Sequence, residues 1–283
     1  MNSSGTTAGL GLMAAASWGG SDFIGGLGAR RAPALLVVAS GHLITLIVLL
    51  AVCLGTHLAI PGKHDLVISA VGGFEGAVAL ALFYRALAMG AMGLTAALTG
   101  LLTALVPVLF SLIHDGLPTL LTIAGLGLGL AAIWLITHSP AAGEKKVATP
   151  RAALLLGALA GLGFGTQLIL FKFAAGGNVL WVMTSARAAG VAAMLLVLLV
   201  MPPKGPWRGF WLVGVLAGSL DTIGNLFYIQ TTRFGRLDVA AMVCSLYPAG
   251  TILLAALVLR EWPTRRQFAG IGLALAAVVL LSI

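Results

Sequence analysis

The chain has 283 residues, of which 60% are hydrophobic and only 8% are charged. Soluble domains carry roughly 25% charged residues, so this composition excludes a water-soluble globule and indicates a polytopic membrane protein whose surroundings are the lipid bilayer. The net charge is +8, but the basic residues lie in short gaps between apolar runs and not in one patch, which argues against a nucleic-acid partner.

Ten apolar runs predict ten membrane-spanning helices, because a bilayer core of about 30 Å needs roughly 20 apolar residues per helix. The predicted spans are 8–28, 34–54, 66–88, 93–113, 119–137, 151–173, 178–200, 208–230, 237–258 and 265–283. The longest connection, residues 138–150, divides the chain near its middle. The first span has no basic segment before it, so we expect it to be retained and not cleaved as a signal peptide.

An internal repeat relates the two halves. The stretch PTLLTIAGLGLGLAA at 118–132 returns as PTRRQFAGIGLALAA at 263–277, an offset of 145 residues, and a fixed offset indicates duplication. We predict a first five-helix repeat over 1–141, a linker over 142–150 and a second five-helix repeat over 151–283. Because five crossings are an odd number, the repeats have inverted topology, and we expect the substrate site at their interface near the membrane midplane.

The distribution of Lys and Arg predicts the orientation in the membrane. Eleven of these residues lie in or beside the odd-numbered loops, and four lie on the opposite side. We therefore expect loops 29–33, 138–150, 201–207 and 259–264 to be cytoplasmic and both termini to lie outside.

Ionisable residues inside the spans are the first candidates for a site, since each costs on the order of 2.5–3.5 kcal/mol to insert. They are Asp22, His42, Glu75, Arg187 and Asp221. At the repeat offset His42 corresponds to Arg187, Asp22 corresponds to Gln167, and Glu75 falls one residue from the counterpart of Asp221. We predict that Arg187 pairs with Glu75 or Asp221 when the site is empty, and that substrate or a proton competes for this pairing. The alternative is a fixed structural ion pair.

Helical spacing adds further candidate residues. Asn225 and Tyr228 follow Asp221 on one face of the eighth span, Trp18 precedes Asp22 in the first, and Thr99 belongs to a row of threonines in the fourth. Ligand pockets combine apolar and aromatic walls with a few polar groups, so we expect these residues to line the cavity. The alternative for the aromatic residues is an interfacial anchor.

Several short motifs resemble those of the EamA family of the drug/metabolite transporter superfamily. They are WGGSDF at 18–23, FYRALAMG at 83–90, SLYPAG at 245–250 and LREW at 259–262. The resemblance implies ten helices in two inverted repeats, and export or exchange of small metabolites such as amino acids, sugars or their derivatives without an ATPase. The chain departs from the family pattern after the fourth span, where His114-Asp115-Gly116 replaces a glutamate that Glu261 keeps in the second copy. Characterised relatives often have cytoplasmic termini, which conflicts with the charge distribution.

The expected function is secondary transport of a small metabolite, such as an amino acid, by an exporter or exchanger of the bacterial inner membrane. Loss of hydration disfavours the charged form of a carboxylate, so a proton could be the coupling ion. Sugar uptake and efflux of lipophilic cations or drugs are the alternatives, and a membrane-embedded enzyme is a remote one. No nucleotide-binding loop, metal motif or disulfide pattern is present, so we expect no cofactor. Monomer and homodimer both stay open.

Overall fold

A computed structural model of the chain describes residues 3–29, 31–89, 92–137, 151–203, 209–260 and 262–282. These residues form eleven α-helices and one π-helical segment: α1 (Ser3–Ala29), α2 (Ala34–Gly55), α3 (Lys63–Met89), α4 (Met92–His114), α5 (Leu120–Thr137), α6 (Arg151–Phe173), α7 (Val179–Val200), α8 (Phe210–Thr231), α9 (Leu237–Cys244), α10 (Tyr247–Leu254), the π segment (Ala255–Leu259) and α11 (Arg265–Ser282).

The helices confirm the predicted all-α polytopic membrane architecture. Nine of the ten predicted spans are single helices whose ends differ from the prediction by a few residues, and the tenth, 237–258, is divided among α9, α10 and the π segment. Within the described part of the chain, six segments are long and apolar enough to cross a membrane, and α4 and α5 contain shorter apolar helical runs.

The ninth span is a broken helix. It stops at Cys244 and restarts at Tyr247. Pro248 has no backbone N–H to donate to the Cys244 carbonyl, and proline fits the first turn of the new helix. Pro107 lies inside α4, which continues through it. Of the two prolines that could reshape a helix, only Pro248 therefore accompanies a break, a feature that transporters often place beside their binding sites.

Packing between the halves follows the repeat offset. Contacts of α3 with α6 and α7 correspond to contacts of α8 with α1 and α2, and the α4–α6 contact corresponds to that of α1 with α9 and α10. Exchanging each helix for its counterpart thus turns one set of contacts into the other, which is the arrangement expected for repeats related by a pseudo-two-fold axis. The boundaries 1–141 and 151–283 stay a prediction, and the linker 142–150 lies outside the described residues.

Glycines bring the helices of the two halves close together. A Cβ atom built at Gly218 of α8 would lie 2.4 Å from the Cα atom of Gly41 in α2. A Cβ atom at Gly73 of α3 would lie equally close, 2.4 Å, to the Cα atom of Ala186 in α7. Small residues permit such crossings, and these two crossings position the helices that carry His42, Asp221, Glu75 and Arg187.

The repeated stretch that reveals the duplication lies on α5 and α11. These helices pack against each other, with Gly125 facing Leu281 and Gly270 facing Ile136. Neither helix carries any of the candidate site residues, so the pair braces the bundle.

Candidate functional site

An ion pair between α7 and α8 forms the centre of the candidate site. A terminal guanidinium nitrogen of Arg187 lies 2.5 Å from the Asp221 carboxylate. The Arg187 side chain is only 3% exposed and that of Asp221 is 22% exposed, so the charge-assisted hydrogen bond is largely shielded from solvent. Of the two partners that the sequence allows for Arg187, the structure therefore has Asp221.

The other terminal nitrogen of Arg187 contacts His42. It lies 3.2 Å from Nε2 and 3.3 Å from Nδ1 of the imidazole ring. Arginine has only donors, and an imidazole nitrogen can accept only when it carries no proton, so this contact suits a neutral ring. Gly190 leaves space for the ring, since a Cβ atom there would lie 2.3 Å from Nδ1.

Asp22 brings a second carboxylate to the same cluster. It lies on α1, half-buried, and interacts electrostatically with Asp221. The neighbouring Ser21 hydroxyl donates to the Ala217 carbonyl at 2.8 Å and fixes α1 to α8. Among the described residues no side chain or backbone N–H donates a hydrogen bond to the Asp22 carboxylate. Arg187 therefore pairs with one of two neighbouring carboxyl groups and leaves the other without a cation.

A small cavity lies beside these groups. Its volume is about 10 Å³, which is room for about one water molecule. Its walls are formed by Ser21, Val37, Val38, Gly41, His42, Leu80, Tyr84, Ala217, Gly218 and Asp221. The helices thus close around the charged cluster, and an organic solute needs them to separate.

Trp18 lies one helical turn before Asp22 and packs among aromatic residues. Its ring centroid is 5.9 Å from that of Tyr228 and 6.3 Å from that of Tyr247, on the broken ninth span. The fully buried Tyr228 donates its hydroxyl hydrogen to the Leu168 carbonyl at 2.8 Å. Trp18 and Tyr228 therefore form an aromatic contact between α1 and α8, and Tyr228 also joins α8 to α6.

Glu75 and Gln167 meet at the α3–α6 contact. The Thr166 hydroxyl donates a hydrogen bond to Glu75, and a Cβ atom at Gly76 would lie 2.1 Å from the Gln167 side-chain nitrogen. Within the described part of the chain Glu75 forms no ion pair, with Arg187 or with any other cation. Glu75 is therefore not part of the ion pair, and Gln167 packs against Gly76 of α3.

Asn225 and Thr99 have different surroundings. The buried Asn225 amide donates to the Asp221 carbonyl at 2.8 Å, one turn earlier on α8. The Thr99 hydroxyl lies 2.9 Å from the carbonyls of both Thr95 and Gly157. Asn225 is thus on the helix of the ion pair, whereas Thr99 belongs to the α4–α6 packing interface.

The contact between His42 and Arg187 is the feature that the sequence argument missed. The two residues are 145 positions apart, so they are the same position in the two copies. Residues near a pseudo-two-fold axis meet their own counterparts. The repeat offset could therefore have predicted this contact, because it makes His42 and Arg187 equivalent polar residues on helices that lie near the axis.

Comparison with known proteins identifies the chain's family. Residues 151–283 match the model of the EamA-like transporter family. Through its second repeat, the chain belongs to the EamA-like transporter family. A solved crystal structure aligns with this EamA chain at a TM-score of 0.78 and 19% sequence identity over 98% of each chain, a likeness that shows the shared fold alone. A comparison with curated proteins gives no match.

Membership in this family makes the chain a membrane transporter and not an enzyme. The family match begins at residue 151, where α6 begins.

The charged residues of this EamA transporter are unevenly distributed between equivalent positions. Asp221 and Asp22 on α8 and α1 correspond to Gly76 and Gln167 on α3 and α6, and they lie on the side that also holds Arg187 and the small cavity. The pseudo-symmetric frame thus carries an asymmetric site.

Proposed function

We propose that this EamA transporter exports or exchanges a small zwitterionic metabolite, such as an amino acid or a related compound, with proton coupling through Asp22. The observation that carries the proposal is the cluster itself, in which a buried arginine pairs with Asp221 while Asp22 has no cation of its own. Such a cluster presents a positively charged guanidinium and carboxyl groups to the same bound solute.

Arg187 binds the carboxylate of the solute. Its Nε atom is buried and has no hydrogen-bond partner among the described residues. A planar guanidinium binds carboxylates through two parallel hydrogen bonds, so a solute carboxylate can engage Nε together with a terminal nitrogen. That carboxylate then competes with Asp221 for the guanidinium.

The carboxylates of Asp22 and Asp221 bind the ammonium group of the solute. Asp22 and the released Asp221 provide acceptors for it, and Tyr84, which lines the small cavity, shields the group from water. A buried charge without a partner is costly, so Asp22 holds either a proton or the solute ammonium. The proton and the solute ammonium therefore compete for Asp22. Because of this competition, movement of a proton in one direction is coupled to movement of the solute in the other.

Alternating access requires the closed cluster to open towards each face in turn. The α2–α8 and α3–α7 crossings are equivalent under the repeat offset and flank the site. Rocking of one repeat against the other at these close crossings opens the cavity to one face and closes it to the other. We place this cycle in the bacterial inner membrane, with loops 29–33, 138–150, 201–207 and 259–264 in the cytoplasm.

Efflux of lipophilic cations is the second candidate function. One observation favours it, namely that the cluster has two carboxyl groups but one arginine, and that Trp18 lies one helical turn from Asp22. Aromatic faces attract organic cations, and such a substrate would need no partner for Arg187. Sugar uptake has no comparable support, because a sugar carries no charge to engage the ion pair.

Transport by purified protein in proteoliposomes distinguishes these functions. The vesicles are given a pH gradient and offered radiolabelled L-amino acids, glucose or tetraphenylphosphonium, one at a time. We expect uptake of at least one neutral amino acid, and we expect Arg187→Ala to reduce it at least tenfold. Transport of tetraphenylphosphonium alone, unchanged in Arg187→Ala, would show instead that the protein is a cation exporter.

A further inference from the structure

A second cavity opens at the end of the bundle where α1 begins. Its volume is about 670 Å³, within the range of roughly 300–1,000 Å³ that ligand pockets occupy, whereas the cavity at the ion pair holds about one water molecule. We call it the vestibule. Its polar walls include Asp115, Thr119, Thr122, Lys172, Arg233 and Arg236.

Two cations of the vestibule have only neutral partners. The Lys172 ammonium donates to the Thr232 carbonyl and lies 3.5 Å from the Gly235 carbonyl. The Arg233 guanidinium donates to the carbonyls of Ala175, at 2.8 Å, and Gly177. Among the described residues neither cation has a carboxylate within 4.0 Å. Neither side chain is therefore paired directly with a carboxylate, and Asp115 interacts with Lys172 only at longer range.

The other two charged groups of the vestibule, Arg236 and Asp115, have charged or hydrogen-bonding side-chain partners. Arg236 lies 3.0 Å from the buried Asp238 carboxylate, and that contact raises the pKa of Arg236. Asp115 accepts hydrogen bonds from His114 and Ser111, which lower its pKa, so it contributes one negative charge at neutral pH. Lys172 and Arg233 together outweigh this charge, and a concave wall concentrates the resulting positive potential.

Hydroxyl groups complete the walls. The Thr119 and Thr122 hydroxyl oxygens are 2.9 Å apart at the start of α5, and the Thr122 amide donates to Thr119. Only one of the two hydroxyl hydrogens can serve their mutual hydrogen bond. The other is available to an acceptor in the vestibule.

We propose that the vestibule is a second binding site, which takes the carboxylate group of small organic anions and zwitterions. The ammonium of Lys172 and the guanidinium of Arg233 hold the carboxylate, and the threonine pair donates a hydrogen bond to it. The site shares no residue with the cluster around Arg187 and Asp221. It concentrates carboxylate-bearing solutes at one mouth of the transporter, and it does not require that the midplane site bind a zwitterion.

Binding of glutarate to the full-length protein in detergent tests the proposal, with saturation-transfer NMR as the readout. We expect saturable binding of glutarate and none of its uncharged analogue glutaramide. Lys172→Met and Arg233→Gln should each weaken glutarate binding at least tenfold. The matched control is Lys63→Met, which removes an exposed lysine that does not line the vestibule and should bind like the unmodified protein.

Two outcomes would overturn the proposal. One is equal binding of glutarate in Lys172→Met, Arg233→Gln and the unmodified protein. The other is loss of binding in Arg187→Gln with no loss in the vestibule variants, which would assign the anion to the midplane site and leave the proposed transport function intact. Melting temperatures of all variants are measured alongside. If Lys172→Met fails to fold, two other variants decide the question: we expect Lys172→Arg to bind glutarate like the unmodified protein and Arg233→Gln to bind it at least tenfold more weakly.

Discussion

Asp22 and Asp221 are carboxylates of one cluster in different electrostatic situations. Asp221 has the Arg187 guanidinium at 2.5 Å, whereas Asp22 interacts with Asp221 and has no cation of its own among the described residues. Removing the charge of Asp221 leaves a buried guanidinium without its carboxylate, whereas Asp22→Asn removes a carboxyl group that pairs with no cation. At the scale of single residues, the two aspartates therefore have separable roles in stability and in coupling.

Stability measurements on the ion pair test this difference. Asp221→Asn and Arg187→Gln should each lower the melting temperature in detergent, because one partner of a shielded pair is left alone. The double variant should recover part of the loss, with a coupling energy on the order of 1–3 kcal/mol. Asp22→Asn should melt at or above the temperature of the unmodified protein. Strictly additive effects of Arg187→Gln and Asp221→Asn would refute the pairing.

Single residues were only partly predictable from the sequence. Their position inside apolar spans identified Asp22, His42, Arg187 and Asp221 as candidates, because inserting an ionisable group into the membrane costs free energy. Glu75 satisfies the same criterion but bonds to Thr166 on α6. Depth along a helix is readable from residue number, whereas the direction of a side chain around the helix depends on packing between the repeats, so the sequence could not choose between Glu75 and Asp221.

The helices themselves were largely predictable, and the ninth span shows the limit. Length and apolar content set the position of each span to within a few residues. The break after Cys244 was not predicted, because Pro107 and Pro248 look alike in sequence and only Pro248 accompanies an interruption. A proline leaves a backbone carbonyl without its helical hydrogen-bond donor. Whether the helix then breaks depends on contacts with neighbouring helices, which the sequence pattern does not reveal.

The crossing of α2 and α8 is a close approach of helices next to the ion pair. Gly218→Ala should separate these helices, because the added Cβ atom would lie 2.4 Å from the Gly41 backbone, which cannot rotate away. Overpacking typically costs about 1–3 kcal/mol, so we expect a lower melting temperature and at least tenfold slower transport.

The control for this substitution is Gly127→Ala in α5. A Cβ atom there has no neighbour within 4 Å, and alanine favours helix formation relative to glycine by about 1 kcal/mol. Gly127→Ala should leave transport unchanged and should not lower the melting temperature. Equal transport by Gly218→Ala and Gly127→Ala would mean that the close crossing is not required.

At the scale of the whole molecule, the duplication explains both the symmetric frame and the asymmetric site. The helix contacts are preserved when the repeats are exchanged, whereas the charges are not, because Gly76 and Gln167 stand where the other side has Asp221 and Asp22. The composition and the odd number of spans made the frame predictable. The orientation in the membrane rests on the Lys and Arg distribution and needs its own test.

Labelling of single cysteines tests that orientation. The two native cysteines, Cys53 and Cys244, are buried and should give little background. With a membrane-impermeant maleimide applied to intact cells, we expect Leu117→Cys in the α4–α5 connection to react, and Ala142→Cys in the predicted linker to react only after the membrane is opened. The reverse pattern would place the termini in the cytoplasm and exchange the sides of all loops.

Proton-coupled transport through Asp22 is the central claim, and the most direct test is a comparison of two assays in proteoliposomes. One assay is accumulation of an amino acid driven by a pH gradient, and the other is exchange of the same amino acid without a gradient. We expect Asp22→Asn to lose accumulation at least tenfold while it retains exchange, and Glu75→Gln, whose carboxylate is bound by Thr166, to keep both. Accumulation by Asp22→Asn at the unmodified rate, or its loss in Glu75→Gln alone, would contradict the account.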